Sequence, residues 1–170
     1  MAAVEYGKYL VRQPLIRRGN DSPGPARIYL SDAQVPEANY HLELNWITGP
    51  PETHLHDRPA VHPWDELILC WGLDPDTPQV LGAEIECRIG DQTVTFSNTT
   101  ALFLPEGLPH GPLIWKKVTR PHIQMSVIFG TGSTEKIYGG SRKDADAVKA
   151  DRKSGFFDYP RQVGMAELAS

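Results

Sequence analysis

Cysteine is scarce in this 170-residue chain, which has only Cys70 and Cys87. Both fall inside apolar, strand-like runs, the setting of reduced buried thiols rather than of a disulfide framework. The fold must then rest on an ordinary hydrophobic core, and this length makes one domain able to bury one. An excess of positive charge is missing too. Seventeen Lys and Arg stand against 21 Asp and Glu, a formal net charge of −4, and the basic residues are scattered, so the chain has no nucleic-acid footprint. No run approaches the roughly 18 apolar residues of a membrane span. The start, Met1-Ala2-Ala3-Val4-Glu5-Tyr6, has no basic segment leading into an apolar one, so a soluble, cytoplasmic protein is expected. Internal repeats, low-complexity tracts and, before the tail, helix-period stretches are absent as well.

What the chain has is short apolar runs separated by turn residues. Residues 1–36 form an irregular N-terminal arm with Pro14, Pro23, Pro25 and Pro36 and a short apolar piece over residues 26–30. From Tyr40 the pattern alternates, with Tyr40, Leu42, Leu44 and Trp46 on one face and His41, Glu43, Asn45 and Ile47 on the other. Strand-like runs follow at residues 66–71, 83–89, 93–96, 101–104, 113–115 and 122–129, with Gly90-Asp91 as a hairpin turn. Many short strands with regular turn signals predict an all-β sandwich or barrel over residues 37–130. Residues 131–170 read as a tail packing on that barrel. It contains a short charged helix over 141–153 and an aromatic group at Phe156, Phe157 and Tyr159.

Two motifs carry the chemistry. The first is His62-Pro63-Trp64-Asp65-Glu66, the second Pro105-Glu106-Gly107-Leu108-Pro109-His110-Gly111. His62 and Glu66 share a strand face, but in an extended strand they stand roughly 13 Å apart. A bend at Pro63 would fold the imidazole back toward the carboxylate, and His110 would arrive from a separate turn. Asp65, facing the other way, is no substitute for Glu66.

The pattern His-Pro-x-x-Glu followed by Gly72, then Pro-x-Gly-x-x-His-Gly, resembles the two motifs of the cupin superfamily. The resemblance covers about residues 40–130. It implies a double-sheet jelly-roll barrel, with an N-terminal arm and a helical or irregular C-terminal tail in this chain. In that family the motifs supply three histidines and a glutamate around a divalent metal. His62, Glu66 and His110 match three of these ligands. Ala60 stands where the first histidine is expected, Thr99 where a glycine is, and Ile114 where an asparagine is, which leaves the fourth ligand open. His56, in His54-Leu55-His56, is the candidate for it if Pro59 reverses the loop; ten extended residues would otherwise span roughly 33 Å. The alternative for these histidines is a solvated loop or a substrate contact at the barrel mouth.

Two imidazoles and a carboxylate suit one divalent Fe, Mn, Ni, Zn or Co, and such a set leaves coordination positions open. On the last strand His122, Gln124 and Ser126 share a face expected to line the cavity. His122 and Gln124 are therefore candidate catalytic residues, the alternative for His122 being a hydrogen-bonded core histidine. Trp64, Trp71 and Phe103 would supply an apolar wall or simply core packing. Arg58 and Arg120 are expected to be solvated.

Two functional classes follow from the resemblance. One is a metal-dependent enzyme acting on a small organic molecule in the barrel, of oxygenase, isomerase or lyase type. The other is a non-catalytic module that binds a small ligand. Either is compatible with a homodimer formed through exposed strand edges.

Overall fold

The structure is a computed structural model that describes residues 6–16, 27–51, 59–133 and 136–137. A single 3-10 turn (Tyr6–Tyr9) precedes nine strands among the described residues. These are β1 (Leu15–Ile16), β2 (Arg27–Leu30), β3 (Tyr40–Ile47), β4 (Glu66–Gly72), β5 (Val80–Ile89), β6 (Gln92–Asn98), β7 (Thr100–Leu104), β8 (His110–Val118) and β9 (His122–Phe129). They form a six-stranded sheet, β1-β2-β3-β9-β4-β7, and a three-stranded sheet, β6-β5-β8. Every pairing is antiparallel. The sheets close face to face as a jelly roll. Ile47, Ile68, Cys70, Leu81, Ile85, Cys87, Leu104, Leu113 and Trp115 pack between them. Among the described residues no helix is long and apolar enough to cross a membrane.

The expected alternation on β3 is present, and it is the polar face that turns inward. His41, Asn45 and Ile47 are buried while Tyr40, Leu42, Leu44 and Trp46 are half-buried on the outside. Register explains this: β3 pairs with β9 from Tyr40↔Phe129 to Ile47↔His122, which sets Asn45 beside Gln124 and Glu43 beside Ser126. On β4 the same parity points Glu66, Ile68 and Cys70 inward and Leu67, Leu69 and Trp71 outward. Phe103 belongs to the outer set. It is 62% exposed, because β7 turns its neighbours Leu102 and Leu104 toward the core. The apolar wall expected of Phe103 is therefore not built from it.

Gly90 adopts a positive φ of 61° in the two-residue connection between β5 and β6, as the hairpin reading anticipates. Both cysteines are free and buried. Burial, with Cys87 nearby, pushes the Cys70 thiol up to about 12, so it packs as an apolar side chain. Past β9, Gly132 accepts a hydrogen bond from the Asp32 amide at 3.1 Å, and Thr131 and Ile137 are buried. The expected helix over 141–153, the aromatic group at Phe156, Phe157 and Tyr159, and His54, His56 and Arg58 lie outside the described residues.

Gly72 ends β4 where no side chain fits. A Cβ there would stand 2.1 Å from the Val80 carbonyl oxygen, whereas one at Gly49 would meet nothing within 4 Å. Gly72→Ala is therefore expected to lower unfolding free energy by about 1–3 kcal/mol, and Gly49→Ala to leave it within about 1 kcal/mol of the parent. Urea midpoints of the two variants compared with the parent check this; equal midpoints would contradict the packing described.

Candidate metal centre

Backbone pairing brings the two motifs together before any side chain does. Ala60 and His110 exchange both backbone hydrogen bonds, 2.7 and 3.0 Å, as an isolated β-bridge. This sets the chain two residues before His62 against the first residue of β8. The Gly107 amide donates to the His62 carbonyl at 2.9 Å, and Gly107 takes a positive φ of 74° to make that turn. The Glu106 amide donates to Asp65 Oδ1 at 3.0 Å. Asp65 thus faces away from Glu66, as strand parity predicts, and ties the second motif to the first. Between His62 and Glu66 the chain bends at Pro63 and Trp64, which turns the imidazole back to the carboxylate.

The three side chains meet in a buried cluster whose ligand atoms all lie within 4.8 Å of one another. His62 Nε2 stands 3.1 Å and His110 Nε2 3.0 Å from the same oxygen, Glu66 Oε2. The rings are 5.0 Å apart, inclined at 75°. Each ring is held from behind by a backbone carbonyl: His62 Nδ1 by Trp64 O at 2.8 Å and His110 Nδ1 by Leu108 O at 2.9 Å. A carbonyl can only accept, so both Nδ1 atoms carry hydrogen and both Nε2 atoms are left facing Glu66, with a lone pair in the neutral ring and an N–H in the imidazolium. Ser126 Oγ donates to the other carboxylate oxygen, Oε1, leaving Oε2 to the histidines.

The electrostatics agree. Burial works against the Glu66 charge, but hydrogen bonds from His110, His62 and Ser126 outweigh it and hold the carboxyl well below its usual range. For His110 burial works against the charged form, and the bonds to Glu66 and to the Leu108 carbonyl outweigh it, raising the pKa. The cluster thus holds an ionised carboxylate and favours positive charge between the three groups.

A divalent first-row ion meets the same demand. Donors at about 2.1 Å from such an ion stand about 3 Å apart, the separation the two nitrogens already keep from Oε2. Backbone carbonyls behind each imidazole and a hydroxyl behind the carboxylate are the outer contacts that fix ligand orientation. The three residues could hold such an ion.

His122 and Gln124 stand elsewhere on β9. Their register partners on β4 are Gly72 and Cys70, whereas Glu66 is level with Ile128, so His122 is about 20 Å along the strand from the cluster at roughly 3.3 Å per residue. His122 is fully buried. Its Nε2 accepts from Trp115 Nε1 at 2.9 Å and its Nδ1 donates to Arg120 O at 3.4 Å. Gln124 Oε1 accepts from Asn45 Nδ2 at 2.8 Å. Trp64 borders the cluster, its ring 6.1 Å from that of His62. Arg120 is mostly exposed and 3.7 Å from Asp74.

The structure also shows an inward polar group that motif reading passes over. His41 bonds Glu43 at 3.2 Å and Arg27 bonds Glu43 at 3.1 Å, with Tyr29 edge-on to His41 at 4.9 Å. The signal for it lay in the alternation of β3, where His41, Glu43 and Asn45 fall on one face.

No family model matches the sequence, and no curated protein is significantly similar to it. Solved structures do match. An oxalate oxidase structure superposes with a TM-score of 0.50 at 13% identity, over 91% of this chain and 78% of that one. A cupin 2 conserved barrel domain protein from Rhodopseudomonas palustris gives 0.40 at 11% identity, over 79% and 86%. The iron(II) form of HppE gives 0.40 at 13%, over 61% of this chain and 48% of that one. The chain thus spans about half the length of the HppE chain. At such identities the likeness concerns the fold alone, a double-sheet jelly roll. Inside it lies a buried cluster of two histidines and one glutamate able to hold a metal ion.

Two measurements test these contacts. Ser126→Ala is expected to weaken metal affinity about 10–100-fold in chelator-competition titrations; unchanged affinity would remove Ser126 from the site. Burial lowers the His122 pKa from its ordinary 6.5. The unfolded chain therefore takes up the proton first, and stability present above about pH 6.5 is lost as pH falls toward the lower folded value. In urea unfolding of the metal-free protein, His122→Gln should flatten the decline below pH 6.5 by up to about 1.4 kcal/mol per unit. Parallel curves would contradict a buried neutral His122.

Proposed function

We propose that the protein is a metal-dependent cupin enzyme acting on a small organic molecule inside the barrel, of oxygenase, isomerase or lyase type. The observation that carries this reading is the convergence of His62 Nε2 and His110 Nε2 on Glu66 Oε2, at 3.1 and 3.0 Å. A bound divalent Fe, Mn, Ni, Zn or Co would supply Lewis acidity toward a substrate oxygen or activation of dioxygen. His62, Glu66 and His110 would hold it and, being only three, leave room for a substrate donor. Gln124 and Asn45 stand farther along the barrel strands, where Asn45 Nδ2 donates to Gln124 Oε1, and their remaining amide groups would be offered to a polar substituent. Ile68, which faces the same interior, contributes an apolar surface beside Ser126. His122 is left outside the chemistry, since both of its nitrogens are engaged by Trp115 and the Arg120 carbonyl.

A second reading is a small-ligand-binding module, and Ala60 favours it. Its backbone is bridged to His110, so a histidine there would stand beside the cluster, and alanine removes one donor from the set.

Open coordination positions separate both readings from a structural metal. The protein loaded with Mn(II) should raise the relaxation rate of water protons above that of free Mn(II), and small carboxylates, keto acids or phenols that reach the ion should reduce the enhancement. Consumption of such a compound, abolished in Glu66→Ala, would favour the enzyme; displacement without turnover would favour the binding module. Tightly bound Mn(II) with no enhancement would overturn both.

A further inference from the structure

Among the described residues, Arg27 is the one lysine or arginine that is not exposed. It works on the barrel side of the six-stranded sheet. It stands two residues before the buried Tyr29, whose register partner is Glu43, and its Nη1 donates to Glu43 Oε2 at 3.1 Å. His41 engages the other carboxylate oxygen, Oε1, at 3.2 Å. The hydrophobic core between the sheets takes only Ile47 from β3 and nothing from β2. The Arg27, Glu43 and His41 group therefore lies beside that core, with the Arg27 and Glu43 side chains 22% and 15% exposed, partly screened from water and still reachable.

Register sets this group next to the metal centre. On the inward face Glu66, Ile128 and His41 form one row across β4, β9 and β3, and Ile68, Ser126, Glu43 and Tyr29 form the next. Ser126, the hydroxyl donor to Glu66, is thus the direct neighbour of Glu43. Two strand spacings separate the backbones of Glu66 and His41, about 10 Å. Arg27 starts one strand farther out but reaches back to Glu43, so its guanidinium stands on the order of 10 Å from the Glu66 carboxylate.

Buried ion pairs add little to stability compared with apolar side chains of similar volume, so the fold alone gives no reason to place this group here. Its chemistry does. The bond to Glu43 runs through Nη1, and the edge formed by Nε and Nη2 has the geometry that pairs with a carboxylate through two parallel bonds. With neutral histidines, a divalent ion, Glu66, Arg27 and Glu43 together carry one net positive charge, which a single carboxylate neutralises.

We infer that Arg27 is the specificity-determining residue of the barrel site, receiving the carboxylate of a small organic acid whose other end supplies an oxygen to the metal. The inference rests on the metal centre proposed for His62, Glu66 and His110, and narrows its ligands to acids with two oxygen functions held apart. Glu43 and His41 are positioning residues that fix the guanidinium.

In the Mn(II)-loaded full chain, the linear dicarboxylates from malonate to suberate and their monomethyl esters can be titrated against the relaxation enhancement of water protons. At a length too great for both ends to chelate the ion, the diacid is expected to bind about 10–100-fold more tightly than its monoester. Arg27→Gln should abolish that preference and Arg27→Lys reduce it. Arg120→Gln, on the exposed turn between β8 and β9, should leave it intact, and all three variants should keep the parent affinity for Mn(II). A wild type that binds diacid and monoester equally at every length overturns the inference, whether or not the Arg27 variants fold. A preference confined to malonate, or one retained in folded Arg27→Gln, marks chelation of the ion and overturns it too. Failure of the wild type to hold Mn(II) is a separate result, which removes the metal centre and the inference with it.

Discussion

Two imidazole nitrogens aimed at one buried carboxylate oxygen form an arrangement that holds only with positive charge between them. If both histidines were neutral, with hydrogen on Nδ1, two lone pairs would face an anion. A proton on Nε2 relieves this, and so does a metal ion. The backbone carbonyls of Trp64 and Leu108 make the choice of nitrogen, since they occupy both Nδ1 atoms. Removing one partner from so buried a charged group costs about 3–5 kcal/mol, so the segments around it are built to keep the three groups in place.

Those segments are joined by backbone and by Asp65. The Ala60–His110 bridge, the Gly107 bond to the His62 carbonyl and the Asp65 clasp on the Glu106 amide lock the start of β4 to the turn before β8. The barrel then divides its labour by strand parity. On β9 the inward residues, His122, Gln124 and Ser126, serve the core and the cluster, while the outward ones, Ile123, Met125 and Val127, are apolar. One strand thus supports the candidate metal centre on one side and the outer apolar side chains on the other.

Much of this was legible in the sequence. The convergence of three side chains could be read because His62, Glu66 and His110 sit in two motifs whose prolines and glycines announce the turns that aim them, and the strands because apolar runs alternate with Gly, Pro and Asp. Which face of β3 turns inward was not legible. Tyr40, Leu42, Leu44 and Trp46 are the more apolar set, and local pattern alone would bury them. Pairing with β9 sets the face instead, a non-local register that places Glu43 beside Ser126 and Asn45 beside Gln124. Phe103 misled for the same reason, since only its pairing with Leu67 reveals its side. The distance of His122 from the cluster is likewise a matter of register, since motif spacing says nothing about which strand ends meet.

A single divalent metal held by His62, Glu66 and His110 would unite these features. Elemental analysis of untagged protein after reconstitution with a divalent ion and exhaustive dialysis, alongside His62→Ala, Glu66→Ala and His110→Ala with their folding verified, addresses it most directly. About one ion per chain in the wild type and loss of it in each variant is expected. A wild type that retains no ion after anaerobic reconstitution, or three folded variants that retain it in full, would contradict it.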